Sequence, residues 1–387
     1  MNIRRFKAVC LALAVALSAL CSQVRAQATA QQADEAARVE RLIGLAKVWG
    51  AAKYFHPSLA YREVDWDKAL VEAIPKVNAA RTPQEYQAAL NQMLGALGDP
   101  STRAEIKSVA NVAASPGRTN ANASEPVRTE GDVLVIDATR LAEAGARDNM
   151  ALRVMLGKAI ESAAKARALV IDARRDGPSA FEGFASYIFA DVLRQVLPQL
   201  LDSDVTLGHG RYRIHNGYAT QGGGASFYYS AFADLAPQTL AGKGKTKTPI
   251  VFVVNENSPP ATETLGGLQY AGRAYVVQDG ERAPEAGGGS FTMDLPSGVR
   301  ARLRTSESVN PDGSLDFNAD AVVPKAAGAV AAMAEALKAA QEGRASQVGR
   351  KGAGTLTPLV GQKERPYAEM EYPSAEYRLL ALFRYWN

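Results

Sequence analysis

The stretch that decides the fold is Pro249-Ile-Val-Phe-Val-Val-Asn255, its continuation Glu256-Asn-Ser-Pro-Pro-Ala-Thr-Glu263, then Gly266-Gly-Leu-Gln-Tyr-Ala-Gly-Arg273 and Ala274-Tyr-Val-Val277. The first and last runs are short, apolar and closed by turn residues, the pattern of strands buried on both faces. Working outward, Val133-Leu-Val-Ile-Asp137 and Ala168-Leu-Val-Ile-Asp172 are two more such runs, with a helical pattern over 149–165 between them. Apolar strands interleaved with helices indicate an α/β domain, which we place at 131–341.

The block before it, 34–106, is helical in pattern. Leu42, Leu45, Ala46, Val48 and Trp49 recur at helical spacing, and Lys53-Tyr-Phe-His-Pro57 ends that helix at a proline. Asp65-Trp-Asp67 supplies acidic residues suited to the N-terminal dipole of a second helix. Thr82-Pro-Gln-Glu85 is a capping box with proline at the first helical position, opening a helix through Leu97. The segment 107–130 is Ala, Asn, Ser, Pro and Thr without apolar period and reads as a linker.

The order of these motifs resembles the tail-specific, or C-terminal processing, serine protease family, whose relatives include tricorn. In that family a strand of the type of Val253-Val-Asn255-Glu256 leads into a turn whose nucleophilic serine stands three residues before a glutamate. The phrase Asp99-Pro-Ser-Thr102 matches the end of the family's helical domain, and Ala168-Leu-Val-Ile-Asp-Ala-Arg174 matches its oxyanion-loop strand. The resemblance covers about residues 40 to 325. It implies a small N-terminal helical domain followed by a ClpP/crotonase-like spiral α/β core, and proteolysis of polypeptides. About 25 residues of linker cannot hold the peptide-binding PDZ domain that many members carry there.

The catalytic positions are where the chain departs from that pattern. Three residues before Glu263 stands Pro260, which has no hydroxyl and no backbone N–H. Ser101 occupies the place of the histidine that tricorn-like members use as base. Of the oxyanion-loop glycine pair only Gly177 is present, and Pro178 removes a donor. The bacterial members' lysine base would fall about 25 residues after the serine, at Glu285, and no lysine lies between Lys247 and Lys325. Ser258 is the one neighbouring hydroxyl that could serve as an alternative nucleophile. Three readings follow: a non-catalytic copy that binds or scaffolds polypeptide, a peptidase using Ser258, and an unrelated α/β binding protein.

Other candidates carry blander readings. His56 sits in the helical block's turn and reads as structural. His209 and His215 are six apart and would share a strand face, but no carboxylates at metal spacing accompany them, so no metal is expected. The runs 222–224 and 287–289 are triple glycines without a phosphate-loop spacing, so no cofactor is expected either. Tyr212, Tyr218, Phe227, Tyr228 and Tyr229 read as strand packing or as the lining of a peptide cleft.

The first 28 residues read as a cleaved secretory signal: Arg4, Arg5 and Lys7, an apolar stretch from Ala8 to Leu20, then small residues up to Ala28. That apolar stretch is too short for a membrane span, so no transmembrane anchor is expected. Cys10 and Cys21, the only cysteines, lie within it, which leaves a processed chain without a disulfide or thiol. Leu20 before Cys21 is too large for the usual lipoprotein site. The expected location is periplasmic or secreted. The net charge of +4 disappears with Arg4, Arg5, Lys7 and Arg25, so no nucleic-acid partner is indicated.

At the other end, Arg378-Leu-Leu-Ala-Leu-Phe-Arg-Tyr-Trp386 repeats Arg41-Leu-Ile-Gly-Leu-Ala-Lys-Val-Trp49 with identical Arg, Leu, Leu and Trp in register. This suggests the start of a second repeat at 372–387 after a Gly-, Lys- and Pro-rich linker at 342–371, and a second repeat copy as a partner. A helix of about 12 residues there has nothing evident to pack on, so the tail is expected to be exposed and expendable.

Overall fold

The computed structural model describes residues 31–107, 125–175, 182–216, 229–245, 247–258, 262–282, 284, 289–315, 318–328, 330–347 and 364–386. The expected signal segment, Gly177, Pro178, Pro260, Glu285, the triple glycine at 222–224, and Tyr218, Phe227 and Tyr228 lie outside the described residues.

Helix α1 (31–55) ends just before Pro57, and α2 (Ser58–Tyr61) is a single turn. Helix α3 (Trp66–Ala79) starts on Asp65, whose carboxylate accepts from the Lys68 N–H at 2.9 Å. Helix α4 (Pro83–Gly95) starts on the expected capping box: Thr82 Oγ1 accepts from the Glu85 N–H at 3.2 Å, and Glu85 Oε2 accepts from the Thr82 N–H at 3.0 Å. Trp49 and Trp66 are buried with both indoles satisfied, each Nε1–H donating to the other residue's carbonyl at 3.2 and 3.0 Å. Tyr86 OH donates to the Arg41 carbonyl at 3.1 Å across the same core. A Cβ at position 44 would stand 2.3 Å from that hydroxyl, so only glycine lets α1 and α4 approach there.

The chain continues as β1 (Arg103–Ile106), β2 (Val127–Glu130), β3 (Val133–Asp137), α5 (Ala138–Arg147), α6 (Asn149–Ala163), β4 (Ala168–Asp172) and α7 (Glu182–Val196). Next come β5 (Val205–Thr206), β6 (His209–Asn216), β7 (Tyr229–Asp234), β8 (Thr239–Leu240), β9 (Ile250–Val254), α8 (Thr262–Tyr270) and β10 (Ala274–Asp279). Then follow β11 (Ser290–Asp294), β12 (Val299–Arg304), β13 (Ser306–Val309), β14 (Ala321–Val323), α9 (Ala331–Gln341) and α10 (Ala375–Trp386). The fold is mixed α/β. Its largest sheet runs β14-β10-β9-β4-β3-β2, parallel except for the β2 edge, so each later parallel strand is laid outside the earlier one.

Strands β3, β4 and β9 are buried on both faces, as expected of a covered parallel sheet. Alternation assigns the two sides. Leu134, Ile136, Leu169, Ile171 and Phe252 face the cluster built with α5, α6 and α7, while Val135, Val170, Val251 and Val253 face Ala332, Ala336, Ala339 and Ala340 of α9. The helix expected over 149–165 is present as α6; α5, capped by Asp137, precedes it directly.

The helical block does not close its core alone. Ala104 of β1 and Val299, Ala301 and Leu303 of β12, from the antiparallel sheet β1-β12-β11, pack into the same cluster as Trp49, Leu70 and Leu90. So do Leu380 and Phe383 of α10. The expectation of an unpacked tail is therefore corrected: α10 lies on α3, with Arg384 paired to Asp67 and donating to the Arg365 carbonyl at 2.9 Å. The physical reason is that the outer face of α3 still has apolar surface to bury. The repeated residues nevertheless use different faces. Leu45 and Trp49 are fully buried in α1, whereas Leu382 and Trp386 in α10 are 53% and 56% exposed.

Candidate functional site

The carboxyl ends of β4, β9 and β10 bring together the segments that the sequence singles out. At the end of β9 the chain turns on Asn255. The Ser258 N–H donates to the Asn255 carbonyl at 3.0 Å, the Asn255 N–H donates to Ser258 Oγ at 2.8 Å, and Oγ lies 3.2 Å from Asn255 Oδ1, to which it donates. Ser258 is only 5% exposed. Its hydroxyl thus donates and accepts within its own turn, and among the described residues no histidine or lysine hydrogen-bonds to it. A serine needs an adjacent base and an open approach to attack a carbonyl, and Ser258 has neither here.

The histidines are all engaged elsewhere. His56 Nε2 lies 2.9 Å from Asp99 Oδ2 and 3.0 Å from Thr102 Oγ1, while Nδ1 accepts from the Ser58 N–H at 3.3 Å. That acceptor role leaves the proton on Nε2, pointing at Asp99. His209 and His215 share β6 as their spacing implied; His209 stands 3.7 Å from Asp234, and His215 bonds to Ser230 at 2.8 Å and stacks on Tyr54. Among the described residues no three His, Cys, Asp or Glu side chains are grouped as a metal would require.

Ser101, at the position of the family's base, is half-buried, and its N–H donates to Asp99 Oδ1 at 3.1 Å. It belongs to a buried brace centred on Asp99, which also accepts from Arg304 Nε and Thr102 Oγ1, each at 2.9 Å. Beside the brace, Glu307 accepts from Arg211 Nε at 2.6 Å and Tyr61 OH at 2.9 Å. Burial first, then the Glu307 charge, pushes Tyr61 up to about 12. Arg213 donates to the carbonyls of Lys53 and His56 at the end of α1, and burial pulls it down to about 10. This brace ties α1 to β6, β12 and β13. Among the described residues no hydrogen bond joins it to the Ser258 turn, so the base and nucleophile positions are not assembled into one polar unit.

Burial depresses the His56 pKa and outweighs the opposing pull of Asp99, whose own carboxyl is held well below the usual range by His56 and Arg304 despite burial. The folded state thus keeps His56 neutral while the unfolded chain protonates below about 6.5. The His56 contribution to stability is complete above that pH and is lost as pH falls below it; the Asp99 contribution is lost only in stronger acid. The melting temperature is expected to fall between about pH 7 and about pH 5, and His56→Gln to flatten that slope. An unchanged slope in the variant, measured by circular dichroism at several pH values, would contradict this.

At the end of β4, Arg174 binds Asp172 through Nε and Nη2 at 2.9 and 2.8 Å, and Asp279 of β10 through Nη1 at 2.7 Å. Burial alone would lower its pKa, but the two carboxylates raise it above the ordinary value. Asp172 and Arg174 therefore lock neighbouring strands together. Glu263, in the first turn of α8, accepts from Ser308 Oγ at 2.7 Å and ties that helix to β13. A shallow pocket of about 260 Å³ lies beside these strand ends, lined by Glu256, Asp279, Gly280, Glu281, Arg282 and Lys325. Its Lys325 and Arg282 both face Glu256, at 2.8 and 3.5 Å, which neutralises much of the pocket's charge.

Sequence reasoning missed the Asp99 brace, whose members lie 43 to 205 residues apart, and it missed Arg175. The signal for Arg175 was the second arginine directly after an apolar strand. Tyr212 and Tyr229 are 42% and 47% exposed on β6 and the β7 edge strand, so they are not packed in the sheet's interior.

No family model matches the chain, and no curated protein matches it. Solved structures do. A lipoprotein from Streptococcus agalactiae overlays with 12% identity and a TM-score of 0.42, covering 78% of this chain and 96% of that one. A Parabacteroides merdae protein carrying a peptidase designation overlays with 13% identity and a TM-score of 0.44, covering 74% and 90%. The photosystem II D1 C-terminal processing protease overlays with 12% identity and a TM-score of 0.34, covering 73% and 93%. No helix among the described residues is long and apolar enough to cross a membrane.

Proposed function

We propose that this chain is an exported, non-catalytic copy of the tail-specific serine peptidase type, with a spiral α/β core, that binds polypeptide without cleaving it. One observation carries the reading: the serine of the turn after β9 is 5% exposed and closed into hydrogen bonds with Asn255. The sequence supports it from two other positions, with Pro260 at the nucleophile and Ser101 at the base. The monotone strand order of the large sheet is consistent with a spiral built by repeated strand–helix units.

Binding without chemistry needs a surface, and the β7 edge supplies one. Its outer side has no strand partner among the described residues, and Tyr229 and Leu235 are exposed along it. An extended polypeptide added there would gain backbone hydrogen bonds, with modest affinity expected. Isothermal titration with an unfolded polypeptide tests the reading. Heat of binding without release of fragments is the expected result; no heat at about millimolar peptide, a concentration where even weak β-addition would register, would count against it.

A further inference from the structure

Five arginines of the described chain are 6% exposed or less. Three have carboxylates within ion-pair distance: Arg174 with Asp172 and Asp279, Arg211 with Glu307, Arg273 with Asp202. Arg41 and Arg175 do not. Arg41 lies within α1 against Tyr86, inside the helical core, where no strand ends converge. Arg175 is different in its place. It directly follows β4 at the carboxyl edge of the parallel sheet, the side of an α/β sheet where ligands gather.

The backbone of Arg175 is clamped. Its N–H donates to Asn255 Oδ1 at 3.2 Å, and its carbonyl accepts from Asn255 Nδ2 at 2.8 Å and from Asn257 Nδ2 at 3.4 Å. Its guanidinium, in contrast, is 5% exposed, and none of its nitrogens has a hydrogen-bond partner among the described residues, with Nη2 wholly out of solvent. A buried charge without a partner is strongly unfavourable, so a position that holds one rigidly is built to receive its counter-charge. The neighbouring carboxylates are committed: Asp172 and Asp279 to Arg174, and Asp137 to Arg140 and its N–H.

We propose that Arg175 anchors a binding site for a monoanionic carboxylate ligand at the carboxyl ends of β4 and β9. The planar fork of the guanidinium matches a carboxylate through two parallel N–H···O bonds. The charge count selects the monoanion: around Arg174 two carboxylates already face one cation, so only the single charge of Arg175 remains to be balanced. A dianionic phosphate would bring a surplus negative charge beside Asp172 and Asp279. The site stands apart from polypeptide binding at the β7 edge, and either reading survives the failure of the other.

The test uses acetate and inorganic phosphate as probes, each replacing chloride at constant ionic strength, with thermal unfolding and isothermal titration on the full chain. Acetate is expected to raise the melting temperature in a concentration-dependent way and phosphate to do so less, since a ligand bound only by the folded state stabilises it by mass action. Arg175→Met is expected to abolish the acetate shift and, in chloride alone, to melt no lower than the parent, because it removes an unpaired buried charge at similar volume. Arg175→Lys keeps the charge but not the fork and is expected to weaken acetate by about tenfold. No acetate shift in the parent, an equal shift in Arg175→Met, a larger shift with phosphate, or a marked loss of stability in Arg175→Met in chloride would each overturn the proposal.

Discussion

Asp99→Ala is expected to cost about 3–5 kcal/mol of folding stability, the loss that follows when one partner of a buried charge network is removed. Both carboxylate oxygens are in use: Oδ2 accepts from His56, Thr102 and Arg304, and Oδ1 from the Ser101 N–H. Alanine would leave the imidazole of His56, fully out of solvent, and the guanidinium of Arg304, 16% exposed, without their shared acceptor. The strands that close the helical core would be released as well, since Arg304 belongs to β12. A drop in melting temperature of roughly 10 °C is expected for a chain of this size. A change below about 1 kcal/mol, the level of an exposed pair, would show that the brace is dispensable.

The second large effect lies in the C-terminal helix. Phe383→Ala is expected to cost about 3–5 kcal/mol, because the ring is 3% exposed in the helical core and its removal leaves a cavity. Trp386→Ala, at a position 56% exposed, is expected to change stability by less than about 0.5 kcal/mol. The contrast between the two aromatic residues, three apart in one helix, separates docking on α3 from a general effect of the tail. Equal losses for both, measured by denaturant unfolding, would contradict the packing described.

What was legible in the sequence is what nearby residues decide. Thr82 and Glu85 announced α4 because the capping box is made by residues three apart, and Pro57 marked the end of α1 for the same local reason. The runs at 133–137, 168–172 and 250–254 read as buried strands because a sheet covered on both faces leaves no polar alternation. Long-range pairings were not legible. Arg103 pairs with Arg302 in the sheet that closes the helical core, and nothing in either segment specifies that partner. The tail misled for a related reason: its likeness to 41–49 suggested the same buried residues, yet Leu380 and Phe383 are the buried ones, and the partner helix α3 lies some 300 residues away. Ser258 could be named from sequence, but its closure by Asn255 depends on the turn's conformation rather than on composition.

Reaction of the purified chain with a fluorophosphonate probe, with the adduct mapped by mass spectrometry, tests the central claim most directly, because the probe modifies only a serine activated by a base and open to solvent. The account predicts no adduct, and no hydrolysis of casein above a buffer blank. Stoichiometric labelling of Ser258, lost in Ser258→Ala together with casein turnover, would contradict it.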